Sequence, residues 1–96
     1  MYILVRKDLA ETYRIVQGSH ALAQYALDHP AEFQAWHNTT IVYLGVRNLQ
    51  ELRSWNLKLA KAGKVSSLWR EPDLDNQETA IACYDDGAIF KDLRLV

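Results

Sequence analysis

The stretch "MYILVRKDL", residues 1–9, decides the fold class. Its first five residues form an unbroken apolar run, which ends at the charged Arg6, Lys7 and Asp8. A continuous apolar run is typical of a central strand that is buried on both faces. The run is also too short for a signal peptide or a membrane span. The sequence therefore predicts an α/β domain assembled around this strand.

Two helices and a second strand are predicted next. Helix one extends from about Thr12 to His29, and Pro30 starts a short second helix in "HPAEFQAWH". The β-branched residues of "NTTIVYLGV" then favour strand two. These three elements give the beginning of a β-α-(α)-β pattern.

The second half of the chain adds one helix and two strands. "NLQELRSWNLKLAKAG" is the clearest helix, because Asn48 and Glu51 form an Asn version of the capping box and Gly63 follows its last turn. "KVSSLWRE" is strand three, "PDLDN" a turn and "QETAIACY" strand four. The remaining "DDGAIFKDLRLV" is interpreted as a short helical turn and an extended tail.

The order β-α-(α)-β-α-β-β determines most of the topology. Helical crossovers imply that strands one, two and three are parallel, with right-handed connections. The tight turn at residues 72–76 makes strand four antiparallel to strand three. We therefore predict a single domain over residues 1–96, a three-layer α/β sandwich around a small mixed sheet.

The net charge, the single cysteine and the absence of metal-binding motifs limit the functions to be considered. The formal charge of the 96 residues is −1, so any binding of nucleic acid has to come from a local basic patch. The one cysteine, Cys83, lies in the apolar run "TAIACY", which indicates an inert core thiol in a reducing compartment and a cytoplasmic protein. No CxxC or HExxH pattern occurs, so the sequence predicts no metal site and no cofactor.

The topology predicts where a site should lie. Ligands of open α/β sheets gather beyond the carboxyl ends of the parallel strands, and the start of an antiparallel strand four lies at that edge too. The first backbone N–H groups of helix one face the same edge. The polar residues collected there are Lys7, Asp8, Thr12, Tyr13, Arg14, Glu71, Asp73 and Thr79.

Three polar residues form a stripe along helix one, which leads away from this edge. Gln17, His20 and Gln24 are spaced four and then three apart, which places them on one helical face. Gln17, about one turn into the helix, can reach the edge, whereas His20 lies on the order of 10 Å from the helix start. Two readings of His20 stay open: a core group that donates to a backbone carbonyl, or a catalytic residue.

These residues resemble the type 2 peptidyl-tRNA hydrolase family. The resemblance is carried by "ILVRKDL", by a Q-x-x-H-A element at Gln17 to Ala21, by "TTIVYLGV", by "EPDLDNQETAIA" and by the closing "FKDLRLV", in the family's order over nearly the whole chain. It implies an α/β/α sandwich whose four-stranded mixed sheet has the order 2-1-4-3, with strand four antiparallel. It also implies hydrolysis of the ester that joins a peptide to tRNA.

The resemblance implies a set of site residues. Gln17 and His20 come from the Q-x-x-H-A element, while Asp73 and Thr79 match the acidic residue and the Thr near strand four; these four are the catalytic candidates. The substrate-binding candidates are Lys7, Asp8, Tyr13 and Arg14. Tyr13 stands where the family usually has a Lys, and the adjacent Arg14 stays protonated and cannot replace that Lys as a base.

Each type of candidate residue suits a step of ester hydrolysis or substrate binding, and two of the residues also have a structural interpretation. Asp73 or Asp8 would orient water, Thr79 and the helix-one amides would donate to the developing oxyanion, and Arg14 with Lys7 would bind phosphates. Asp8 alternatively caps helix one, and Asp73 alternatively shapes the turn after Pro72.

The alternative functions are of two kinds. One is a non-catalytic tRNA- or protein-binding module on the same fold. The other is an interaction domain such as a homodimer. No membrane partner is expected.

Overall fold

The first strand occupies the centre of the sheet, as its apolar run predicts. The computed structural model describes residues 1–96, and its main elements are β1 (Tyr2–Arg6), α1 (Glu11–Asp28), α2 (Pro30–Trp36), β2 (Val42–Val46), α3 (Leu49–Lys61), β3 (Ser66–Glu71), β4 (Gln77–Cys83) and β5 (Arg94–Leu95). Two short 3-10 turns, Pro72–Leu74 and Ala88–Phe90, flank β4. The fold is a mixed α/β fold with three helices.

The sheet has five strands in the order β3-β4-β1-β2-β5. β1 is parallel to β2, and β4 is antiparallel to both β1 and β3. The predicted count of four strands is wrong, because the extended tail pairs antiparallel with β2 as β5, with Leu95 opposite Leu44 and Arg94 opposite Gly45. A two-residue strand carries no periodic pattern of its own, and only the free edge of β2 defines it.

Helices cover both faces of the sheet. Ile3 and Val5 pack with Ala21 and Tyr25 of α1 and with Trp36 of α2. The intervening Leu4 belongs to a second cluster, which contains Leu52 and Leu59 of α3. Because alternate residues of a strand face opposite sides of the sheet, α1 and α2 lie on one face and α3 on the other.

The helix α3 begins and ends where the sequence predicts. The side chain of Asn48 accepts a hydrogen bond from the backbone N–H of Glu51 at 3.0 Å, and Gly63 follows the helix with a φ of +69°. The carboxylate of Glu51 does not complete the capping box; it pairs with Arg47 at 2.6 Å. None of the three helices has the length and apolar character needed to cross a bilayer.

Candidate functional site

A buried carboxylate, Glu71, lies at the predicted edge of the sheet. Glu71 ends β3, and only 6% of its surface is exposed. Its Oε1 accepts a hydrogen bond from Nε2 of Gln17 at 2.9 Å, and its Oε2 accepts one from the backbone N–H of Asp73 at 3.1 Å. These donors, that of Gln17 first, hold the pKa of Glu71 below the usual glutamate range. The group is therefore an anion whose nearest donors are neutral.

Thr79 and Gln17 form the support of this carboxylate. The hydroxyl of Thr79 donates to Oε1 of Gln17 at 2.6 Å, and both side chains are fully buried. Because the amide oxygen of Gln17 accepts from Thr79, its NH₂ group is oriented toward Glu71. The single hydroxyl proton of Thr79 is therefore directed to Gln17 inside the core and not toward the position expected for a developing oxyanion.

A β-bulge places Thr79 on this face. Trp69 is opposite Ala80 and the next residue, Arg70, is opposite Glu78, so Thr79 is the extra residue of β4. A bulge of this kind re-aims side chains beside a site. Ala80 packs with the α1 side of the core while Glu78 contacts α3, and the bulge between them turns Thr79 toward Gln17.

His20 lies on the surface beside this cluster. Its ring stacks on Trp69 with centroids 4.6 Å apart and an interplanar angle of 12°. Its ring makes no hydrogen bond to a backbone carbonyl, so the reading of His20 as a buried core donor is wrong. His20 lies close enough to Glu71 to contribute to the lowered pKa of that carboxyl. The indole N–H of Trp69 also lies near Glu71 but makes no hydrogen bond of good geometry and is buried without a partner.

Tyr13 and Asp73 border Glu71 on the solvent side. Burial, followed by the negative charges of Glu71 and Asp73, raises the pKa of the Tyr13 phenol. Tyr13 therefore stays a neutral hydrogen-bond donor at neutral pH. Asp73 is exposed, and its contribution to the cluster is its backbone N–H; its carboxylate makes no hydrogen bond. The buried carboxylate at this edge is therefore Glu71, the last residue of β3, and not the predicted Asp73.

The predicted substrate-binding cations have structural partners. Arg14 donates to the backbone carbonyls of Leu9 at 2.7 Å and Lys7 at 2.6 Å, which fastens the loop between β1 and α1. Asp8 pairs with Arg6 at 2.8 Å and does not cap α1, whose N-terminal residue has no side-chain cap. The exposed side chain of Lys7 lies over Gly45 of β2. Arg14 and Asp73 therefore have separate partners and form no pair.

The opposite face of the same edge carries a second buried carboxylate, Glu78. Arg53 contacts it through two hydrogen bonds of 2.7 and 3.3 Å, and Arg70 lies 3.3 Å away. The hydrogen bond from Arg53 is the main cause of the lowered pKa of Glu78. The side chain of Arg6 donates to the backbone carbonyl of Glu78 at 3.1 Å and to the side chain of Gln77 at 2.9 Å.

The sequence places Glu71 at this edge but predicts Asp73 or Asp8 as the carboxylate that orients water. The available signal was the two-residue spacing of Ser67, Trp69 and Glu71, which assigns them to one face of β3. Nothing in the sequence signalled that Gln17, 54 positions earlier, is the partner of Glu71. The junction of Glu78 with Arg53 and Arg70 had no sequence signal either.

Outside the Glu71 and Glu78 clusters, few reactive side chains lie close together. A cleft of about 310 Å³ between α1, β2 and the tail is lined by Glu11, Arg14, Ile15, Tyr43 and Val96, and includes no member of the Glu71 cluster. Cys83 is buried as predicted, and burial raises the pKa of its thiol to about 11. No group of three or more His, Cys, Asp or Glu side chains is placed to hold a metal ion.

Comparison with known proteins gives a likeness of fold. No family model and no curated protein match the sequence. Among solved structures, the chain is similar to a protein of unknown function from Agrobacterium tumefaciens, with a TM-score of 0.72 and 14% sequence identity over 99% of this chain and 95% of that one. At this identity the likeness supports the mixed α/β architecture alone.

Proposed function

We propose that this protein hydrolyses the ester bond of peptidyl-tRNA, with Glu71 as the carboxylate that orients the attacking water. The observation that carries the proposal is the setting of Glu71, an anion fixed by the neutral donors Gln17 and Asp73 N–H at the carboxyl edge of the sheet. Its charge is not neutralised by a cation bonded to it, so it remains available to a substrate. The sequence resemblance over nearly the whole chain supplies the substrate class.

The side chains around Glu71 suit the steps of ester hydrolysis. Water attacks the carbonyl carbon of the peptidyl ester while Glu71 orients it and the exposed imidazole of His20 accepts its proton. The phenol of Tyr13 donates a hydrogen bond to the developing oxyanion. The bond between the carbonyl carbon and the ribose oxygen then breaks, and the ribose oxygen receives the proton from His20. The products are the free peptide and deacylated tRNA.

A second candidate is a tRNA-binding module without catalysis. The observation that favours it is Tyr13, a neutral phenol at the position where the resembling family usually has a basic Lys. On this alternative, the same edge would bind tRNA and leave the ester intact.

Release of peptide from a defined peptidyl-tRNA tests the proposal, with the corresponding aminoacyl-tRNA as the substrate control. We expect the wild type to cleave the peptidyl ester and Glu71→Gln to lose on the order of 10²-fold in turnover. Asp73→Asn is the matched control, because this exposed neighbour keeps the backbone N–H that binds Glu71. A wild type that binds tRNA without cleaving it would establish the binding module. Equal activity of Glu71→Gln and the wild type would show that the assigned site is wrong.

A further inference from the structure

Glu78 holds two arginines side by side on the α3 face of the edge. Arg53 reaches it from α3 and Arg70 from β3, and the two side chains are 55% and 58% exposed. The carboxylate between them is 10% exposed. Two like charges that would otherwise repel are thus gathered around one buried anion, with their outer surfaces open to solvent.

A hydrogen bond from Arg6 to the backbone of β4 helps to fix the position of the Glu78 carboxylate. Glu78 lies on β4, and the nearly buried Arg6 of β1 donates to its backbone carbonyl. Asp8 neutralises Arg6 through two hydrogen bonds of 3.0 and 2.8 Å. The two exposed arginines are therefore preorganised around a carboxylate that is held on a central strand, which lowers the cost of ordering them when a ligand binds.

Both arginines keep donors for a further anion. A guanidinium has five N–H donors and stays charged at any ordinary pH. Arg53 uses two of them on Glu78, and Arg70 makes only the longer ionic contact. Together with the pairs Arg6–Asp8 and Arg47–Glu51, these ion pairs contain four guanidiniums and three carboxylates. This group of ion pairs therefore carries one excess positive charge, in a chain whose net charge is −1.

We propose that Arg53 and Arg70, bridged by Glu78, bind phosphates of the RNA backbone of the tRNA substrate. The identity of that substrate rests on the proposed function. Arg70 immediately precedes Glu71 in β3, so the two side chains face opposite sides of the sheet at its carboxyl edge. An RNA strand docked on the α3 face passes over this edge and presents its 3′ ester to Glu71. Phosphates thereby avoid the acidic turn that carries Asp73 and Asp75.

Binding of deacylated tRNA, measured by fluorescence anisotropy at several salt concentrations, tests the proposal without any need for catalysis. At about 50 mM salt, we expect Arg53→Ala and Arg70→Ala each to weaken binding roughly tenfold. The double variant should reduce the slope of log K against log salt by about 1.5, the value for two phosphate contacts. Lys61→Ala is the charge-matched control at the far end of α3, and we expect it to bind within about twofold of the wild type.

Arg70→Ala is the decisive single variant, because the side chain of Arg70 makes no hydrogen bond and Arg53 still neutralises Glu78 when the Arg70 side chain is absent. Melting curves confirm that each variant is folded. Arginine variants that bind like the wild type, equal losses in Arg70→Ala and Lys61→Ala, or a wild type that binds no tRNA would each overturn the proposal. Binding through these arginines without ester cleavage would support it and contradict the hydrolase proposal; cleavage that is insensitive to both substitutions would do the reverse.

Discussion

Glu71 and Glu78 lie on adjacent strands at one edge of the sheet, and their partners differ in charge. Glu71 accepts hydrogen bonds from an amide and a backbone N–H, whereas Glu78 is held by Arg53 and Arg70. Both carboxyls have a lowered pKa, for different reasons: neutral donors in the first case and cations in the second. A lowered pKa alone therefore does not show whether a buried carboxylate is paired with a cation; the identity of its partners does.

On the proposed function, the two faces of the edge have different roles. Glu71 on the α1 face, held by neutral hydrogen-bond donors, would act on the substrate. Glu78 on the α3 face positions Arg53 and Arg70, whose side chains are exposed to solvent.

Substitutions on the two faces of the edge should change different kinetic parameters, kcat on the α1 face and KM on the α3 face. Glu71→Gln should lower kcat on peptidyl-tRNA on the order of 10²-fold with KM nearly unchanged, because the amide is nearly isosteric but no longer anionic. Arg70→Ala should raise KM about tenfold with little change in kcat, since phosphate contacts position the substrate. Steady-state kinetics of both variants measures the split. If both substitutions act on the same parameter, the two faces do not have separate roles.

Thr79→Val should destabilise the fold by about 1–3 kcal/mol, because it keeps the shape of the side chain but leaves the buried Oε1 of Gln17 without its donor. Urea unfolding measures the change, and Thr12→Val, at an exposed position of α1, is the control that should stay within about 0.5 kcal/mol of the wild type. An unaltered stability of Thr79→Val would mean that the support of Glu71 is not the hydrogen-bonded chain described above.

His20→Ala should reduce turnover strongly while lowering stability by only about 0.5–1.5 kcal/mol, the range of an aromatic stacking pair. Its ring is exposed and has no hydrogen-bond partner whose loss would cost more. Unfolding and single-turnover measurements on the same preparation check both parts. A large loss of stability with normal turnover would return His20 to a structural role.

Low pH should reduce the stability that Glu71 and Glu78 each contribute to the fold, whereas high salt should reduce mainly the contribution of Glu78. Each glutamate has a folded-state pKa below its unfolded one, so its contribution is complete above the unfolded pKa and is lost as the pH falls below about 4. The ionic partners of Glu78 are exposed, so 1 M salt should reduce its contribution by a few tenths of a kcal/mol. The contribution of Glu71 should change less, since its donors are neutral. Acid unfolding of Glu71→Gln and Glu78→Gln at low and high salt measures both; an equal response to salt would contradict the comparison.

Local sequence signals predicted the three helices, four of the five strands and the directions of those four strands. The apolar run before Arg6 placed β1 at the centre of the sheet, and Asn48 and Gly63 set the ends of α3, because these signals are local and lie within a few residues of what they specify. The crossover and turn lengths gave the strand directions. The edge at which polar residues gather followed from those directions.

Which polar side chains meet at that edge depends on how distant elements pack against each other. Gln17 joins Glu71 and Thr79 across 54 and 62 positions of the chain, and the bulge that turns Thr79 inward has no local signature. The tail became a fifth strand for the same kind of reason, since the edge of β2 was open to it. Hydrogen bonds between distant residues depend on the exact separation and orientation of packed elements, and a side-chain type at a given spacing does not carry that information.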